Sequence, residues 1–244
     1  LTDSSAASDV YKRQFQNNKT YLFERAKETL GLLYADHFPF RQYASARGIR
    51  RSAIHQNLLE RGACFGEVAG WERANWFLPA ELVSEGNTPE YKYSWGRQNW
   101  FDFAAQEHLA VRQKAGFFDM SSFAKFRLEG KDAQAVLQRI MANDVDVEPG
   151  RVIYGQWLNN SGGIEADLTV TRLTETVFLI VTSAASATRD LAWLKKNIPE
   201  GAHCIATDIT GSEAVFSIMG PTARDIMQKI STCLLYTSDA ADES

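Results

Sequence analysis

The residues best suited to chemistry lie in one short run, Gly162-Gly163-Ile164-Glu165-Ala166-Asp167-Leu168-Thr169-Val170-Thr171. In a strand, alternate side chains point to opposite faces. Ile164, Ala166, Leu168 and Val170 then share one face, and Glu165, Asp167, Thr169 and Thr171 share the other. Aspartate is a poor strand residue, so Asp167 in this setting calls for a reason. A carboxylate on a rigid strand, facing a polar cavity, can take a proton from a bound amine or steady a cation. The pattern alone leaves a solvated strand face as the competing reading. Tyr154 sits on the preceding strand, where hairpin pairing can bring it near Asp167; by itself it also reads as an aromatic at the edge of the core. The four histidines, His37, His55, His108 and His203, are scattered, and no GxGxxG, P-loop, HExxH or GxSxG motif occurs.

The elements that must position these residues read as follows. Thr20 to Leu33 places Leu22, Ala26, Leu30 and Leu33 on one helical face, and Pro39 disfavours helix at Phe38. A basic loop with Arg47, Arg50 and Arg51 leads to a short helix, Ala53 to Leu59, and then a strand, Ala63 to Val68. The aromatic run Gly70 to Phe77 (G-W-E-R-A-N-W-F) reads as packing, with Glu72 and Arg73 as an ion pair. Turn-rich Glu85 to Trp95 marks a domain boundary, and Phe103 to Lys114 is the next helix. Strands follow at 124–128, 152–158, 164–173, 177–182, 202–208 and 214–218, and helices at 132–142, 184–196 and 221–230. Asn159 to Gly163 is a turn, because Asn and Gly tolerate positive φ. Hairpins followed by helices give an α+β fold with a mixed, mostly antiparallel sheet.

Both chain ends differ in character from the rest. Ser4 to Gln14 can be encoded by DNA whose reverse complement, read one base along, encodes Cys233 to Asp242. Residues 1–14 and 232–244 are therefore expected to be one transposon-type sequencing adapter translated in opposite orientations, outside any fold. The natural stretch is expected to run from about Phe15 to Ser231, with neither end a true terminus. The net charge is −4, and the tails hold five acids against two bases, so the remainder is near neutral. That balance gives no nucleic-acid footprint. No apolar run is long enough to span a membrane. Outside the tails only Cys64 and Cys204 remain, too far apart for a zinc or redox motif.

Several pieces together resemble a known family. Gly62-Ala63-Cys64-Phe65-Gly66-Glu67, Gly70-Trp71-Glu72-Arg73-Ala74-Asn75-Trp76-Phe77 and the preceding Tyr34 to Leu59 resemble the central domain of the dimethylglycine and sarcosine dehydrogenases. From about His108 the chain is similar to the folate-binding domain of those enzymes, shared with the aminomethyltransferase (T-protein) of the glycine cleavage system. The matching pieces are Ala115-Gly116-Phe117-Phe118-Asp119-Met120-Ser121, Ala142-Asn143-Asp144-Val145, Gly162 to Leu168, and Met219-Gly220-Pro221. The implied organisation is a partial FAD-dependent oxidoreductase central domain at 15–100 and a partial aminomethyltransferase-like folate domain at 101–231.

The resemblance implies an enzyme with FAD in an N-terminal domain absent from this stretch. That domain would oxidise a small N-methyl amine such as dimethylglycine or sarcosine to an iminium. The folate domain would pass the one-carbon unit to tetrahydrofolate, and without folate, water would release formaldehyde. The family's catalytic carboxylate falls on Asp167, its folate-contacting tyrosine on Tyr154, and the strand end Val181-Thr182 would line the same pocket. No metal, nucleic acid or membrane partner is implied. The family habit places such enzymes in the bacterial cytoplasm or the mitochondrial matrix. T-proteins carry two adjacent acids after the double glycine, whereas Ala166 stands at the first position here, which favours the flavin-linked branch. Later folate contacts would lie beyond Ser231, so this stretch alone holds only part of the folate pocket and is expected to lack oxidase activity and to bind folate weakly or not at all. Two alternatives are a non-catalytic paralogue of the pyruvate dehydrogenase phosphatase regulatory subunit type and a stand-alone aminomethyltransferase. The Gly62 to Phe77 block argues against the latter.

Overall fold

The computed structural model describes residues 18–231. Both adapter-like ends, 1–14 and 232–244, lie outside the described residues.

The centre of the fold is a five-stranded antiparallel sheet in the order β5-β6-β7-β4-β8. Its strands are β4 (Ala124–Glu129), β5 (Val152–Leu158), β6 (Ile164–Thr174), β7 (Val177–Thr182) and β8 (Ile205–Asp208). Alternation makes one face apolar: Phe126, Leu128, Ile153, Trp157, Ala166, Leu168, Val170, Phe178 and Ile180 are all buried there. Helix α5 (Ala133–Ile140) covers that face with Ala133, Val136, Leu137 and Ile140, a spacing that forms one helical stripe. Helix α6 (Ala187–Lys196) adds Leu194, with Leu191 and Trp193 at the margin. The opposite face carries the polar alternates, Asp167 among them.

Ahead of the sheet come α1 (Lys19–Tyr34), α2 (His55–Glu60), the hairpin of β1 (Ala63–Val68) and β2 (Trp71–Phe77), α3 (Ala80–Ser84) and α4 (Phe101–Gln113). A separate small cluster lies here: Cys64, Trp76 and Leu78 are buried against Leu82, Val83, Tyr91, Trp100 and Phe103. Strands β3 (Gly116–Asp119) and β9 (Phe216–Met219) form their own antiparallel pair, and α7 (Ala223–Ile230) follows.

Most elements stand where the sequence pattern places them, with informative differences. The aromatic run after Gly70 is a strand, β2, paired with β1 from Val68↔Trp71 to Ala63↔Phe77. Glu72 pairs with Arg47 rather than Arg73, because consecutive strand residues project to opposite faces. Glu72 also accepts the Gly48 amide at 2.6 Å, so one carboxylate ties the basic loop to the hairpin. β3 is a strand the pattern does not reveal, formed by pairing with a partner about 100 residues away. β8 starts at Ile205 rather than 202, because the His203 amide donates to Asp132 Oδ2 at 2.7 Å instead of joining the ladder.

Candidate functional site

The hairpin β5–β6 builds the polar face around Asp167. Asn159 organises its turn: Asn159 Oδ1 accepts the amides of Ser161 and Gly163 at 3.0 and 2.9 Å, and its Nδ2 donates to Glu165 at 2.9 Å. Gly162 takes φ +78°, open to glycine and costly for most other residues. A bulge follows. Leu158 pairs with Ile164, but Trp157 pairs with Ala166, so one extra residue enters β6. Without that shift Gln156 would face the core residue Ala166. With it, Gln156 stands opposite Asp167, and Tyr154 stands opposite Thr169. The bulge also leaves Ile164 exposed, off the apolar face that alternation assigns to it.

The side chains form a compact polar group. The Gln156 amide donates toward Asp167 Oδ1 at 3.4 Å and toward the Tyr154 hydroxyl at 3.5 Å. The Asp167 carboxylate, by hydrogen bonding and then by charge, raises the Tyr154 phenol above its ordinary pKa. Tyr154 is 60 % exposed and presents an open aromatic surface. Its backbone is held from behind: the Asn143 side chain donates to the Tyr154 carbonyl at 3.0 Å. Gly155 allows that approach, since a Cβ there would lie 2.8 Å from Met141 Cε and 3.2 Å from Asn143 Cβ.

The register decides which expected residues meet. Thr169 pairs with both Tyr154 and Val181, so these three form one row, with Asp167 two residues along β6 from Thr169. Tyr154, Asp167 and Val181 therefore share the polar face. Thr182 projects to the other side. It is buried, and its hydroxyl donates to Asp190 Oδ2 at 2.6 Å. Asp190, only 1 % exposed, also accepts Ser186 Oγ at 2.8 Å and Arg189 Nε at 3.0 Å, which bolts the end of β7 to α6. Thr169, which alternation puts on the Asp167 face, joins the group; so does Gln156, which sequence reasoning does not single out because the bulge hides the register that sets it opposite Asp167.

An exposed carboxylate, a carboxamide and a phenol on the edge strand β5 and its neighbour β6 suit a planar, hydrogen-bonding ligand. The aromatic ring offers stacking, and the carboxylate is the only ionic group of the three. A groove of about 310 Å³ runs elsewhere, along α1 beside Leu33, His37, Arg41 and Tyr43, and no carboxylate or carboxamide lines it.

An antiparallel sheet with one face buried under helices and the other open and carboxylate-bearing defines an α+β class of fold. Comparison with known proteins makes the class particular. The model of the GCVT N-terminal domain matches residues 54–240, and that of the FAD dependent oxidoreductase central domain matches residues 11–52. The chain belongs to the GCVT N-terminal domain family, joined to part of a FAD dependent oxidoreductase central domain. It is 44 % identical to the 4-methylaminobutanoate oxidase (formaldehyde-forming) of Paenarthrobacter nicotinovorans, over 94 % of this chain and 27 % of that protein. It is 30 % identical to mouse mitochondrial sarcosine dehydrogenase over 91 % of this chain and 28 % of that protein. It is also 30 % identical to the mouse pyruvate dehydrogenase phosphatase regulatory subunit, over 88 % of this chain and 25 % of that protein. The chain thus spans about a quarter of the length of these relatives. Among solved structures, the glycine cleavage system aminomethyltransferase T of Bartonella henselae superposes with a TM-score of 0.60 at 26 % identity, over 75 % of this chain and 44 % of that one. Among the described residues, no helix is long and apolar enough to cross a membrane.

Proposed function

We propose that this chain is part of a FAD-dependent N-methyl amino acid dehydrogenase or oxidase, and that its polar sheet face transfers the one-carbon unit to tetrahydrofolate. The observation that carries this reading is the exposed Asp167 carboxylate, held beside Gln156 and Tyr154 on a rigid strand. The activities for which the relatives are named supply the substrate class. We place the unit boundary near residue 100, because separate buried clusters form on either side, one around Trp76 and one around Phe126. The family match beginning at residue 54 sets a competing boundary.

The chain's own part begins with the iminium, a methylene carbon doubly bonded to the positively charged substrate nitrogen. A folate N–H nitrogen attacks the methylene carbon, and Asp167 takes the proton that leaves it. Asp167 returns that proton to the substrate nitrogen as its bond to the carbon breaks. The second folate nitrogen closes the methylene bridge, and its proton leaves with the amine product, which departs as an ammonium. Before attack, the carboxylate also stabilises the iminium charge. Tyr154 and Val181 would floor the folate ring. Thr182 would hold the end of β7 in place through Asp190. The flavin does not fit the residues present, for the chain has no glycine fingerprint for a pyrophosphate. No step here runs through it.

The test follows a 13C-labelled N-methyl substrate in the full-length protein that carries this stretch, with tetrahydrofolate present. Asp167→Ala is expected to lower methylenetetrahydrofolate about 100-fold and to divert the label to formaldehyde. Unchanged methylenetetrahydrofolate in that variant would sink the reading. Absence of any folate product in the unmodified protein would favour the regulatory role borne by the phosphatase subunit relative.

A further inference from the structure

Helix α1 is turned inside out. Leu22, Phe23, Ala26, Leu30, Leu33 and Tyr34 fall within an arc of about 120° on a helix of 3.6 residues per turn, and every one of them is exposed. Leu30, Leu33 and Tyr34 are 60, 70 and 91 % exposed. The other side of the helix, Tyr21, Glu24, Arg25, Glu28, Thr29 and Leu32, is half-buried against this chain. Polar bonds make that contact. Arg25 pairs with Glu67, lies over the Tyr43 ring at 4.0 Å and donates to the Ser45 carbonyl at 2.9 Å. Glu28 accepts the Ala44 and Ser45 amides at 2.9 and 2.8 Å and pairs with Arg41 at 3.1 Å. Single exposed apolar side chains are ordinary, but a contiguous apolar stripe marks an interaction surface. Helices in proteins draw most of their stability from packing an apolar face. No residue of that face is buried here.

We propose that α1 is the joint between two parts of the full-length protein: its polar side fastens it to this chain, and its apolar stripe seats the rest of the FAD dependent oxidoreductase central domain. This rests on the reading above only in taking a FAD-dependent part to precede this stretch. Three observations choose that occupant. The match to the central domain covers residues 11–52, and α1 lies wholly inside it, so the stripe belongs to that domain. In the relatives named above, about three quarters of the sequence lies outside the part that this chain matches, which leaves ample protein to cover the stripe. Arg25 falls in the central-domain match and its partner Glu67 in the GCVT N-terminal domain match, so the polar side of α1 already reaches from one family to the other. A helix that lies on a membrane surface turns a basic polar face to the headgroups. The polar side of α1 mixes Glu24 and Glu28 with Arg25 and is turned toward this chain instead. Because one helix carries both contacts, it sets how the flavin-bearing part is held against the part that carries Asp167.

The test uses the full-length protein that carries this stretch. Tyr34→p-benzoylphenylalanine, a conservative change at the most exposed position of the stripe, is irradiated, and the crosslinked peptides are read by mass spectrometry. The expected crosslinks run within one molecule, to peptides encoded ahead of this stretch. In a second measurement Leu30→Cys is alkylated with iodoacetamide, in the native protein and in the same variant unfolded in urea. The native protein is expected to react at least about 100-fold more slowly, because a covered thiol reacts only through local opening. Equal rates in the two states overturn the proposal. Crosslinks between two molecules overturn it in favour of a second copy on the stripe. Protection that appears only with added anionic phospholipid vesicles overturns it in favour of a membrane surface. Purified full-length protein without flavin would sink the reading of a FAD-dependent dehydrogenase, while the crosslinks would still decide whether the preceding sequence covers α1.

Discussion

The N-terminal region and the five-stranded sheet are held together by different physics. The sheet rests on one continuous core of buried apolar side chains, from Phe126 and Trp157 to Leu194. The N-terminal region has a three-residue buried cluster, and α1 buries none of its residues. Polar links hold α1 instead: Arg25 to Glu67, and Glu28 to Arg41, the Ser45 hydroxyl and the Ala44 and Ser45 amides. Burial pushes the Glu28 carboxyl up, but those bonds outweigh it and hold the pKa down at about 2. The contrast teaches where a functional face can be kept rigid. Asp167 stands on the side with the large core, so its position does not depend on charge pairs.

Trp157→Ala should have the largest effect, costing about 3–5 kcal/mol and unfolding the sheet, as read by urea denaturation. Trp76→Ala should open the β1–β2 hairpin while the sheet stays protected from hydrogen exchange. Joint loss of protection would break the comparison. Arg172→Met should cost about 2 kcal/mol, because this buried guanidinium serves Asp146, Glu175, Gln134 and the Val147 carbonyl at once. Acid should act on α1 first. Glu28 has a depressed folded pKa, so its contribution is complete above about 4.5 and is lost as pH falls through about 2. Over that window the amides of α1 should lose protection before those of β6. Arg97→Ala should shift stability by less than about 0.5 kcal/mol, since the Arg97–Asp102 pair is exposed on both sides.

Much of this was legible in the residues. Alternation exposes the two faces of β6, and the misfit of an aspartate there singles out Asp167. The stripe Ala133, Val136, Leu137, Ile140 gives α5 its inner face. What stayed hidden depends on pairing over distance. β3 exists only because β9 returns to it, and the partner of Glu72 comes from a loop 25 residues away. The bulge between Trp157 and Leu158 resets the register, and with it the identity of Asp167's neighbour, Gln156. The burial of Lys125 stayed hidden as well. Its burial follows from Ser121 and Thr210, which pack around β4.

The central claim is that the Asp167 face, not the groove along α1, is where this chain meets its ligand. The most direct measurement is an NMR titration of the full-length protein that carries this stretch, and of its Asp167→Asn variant, with 5-formyltetrahydrofolate. The account predicts shifts confined to Tyr154, Gln156, Asp167, Thr169 and Val181, an affinity about tenfold weaker in the variant, and the same thermal stability for both. Shifts centred on Leu33, His37 and Tyr43, or equal affinity in the two proteins, would contradict it.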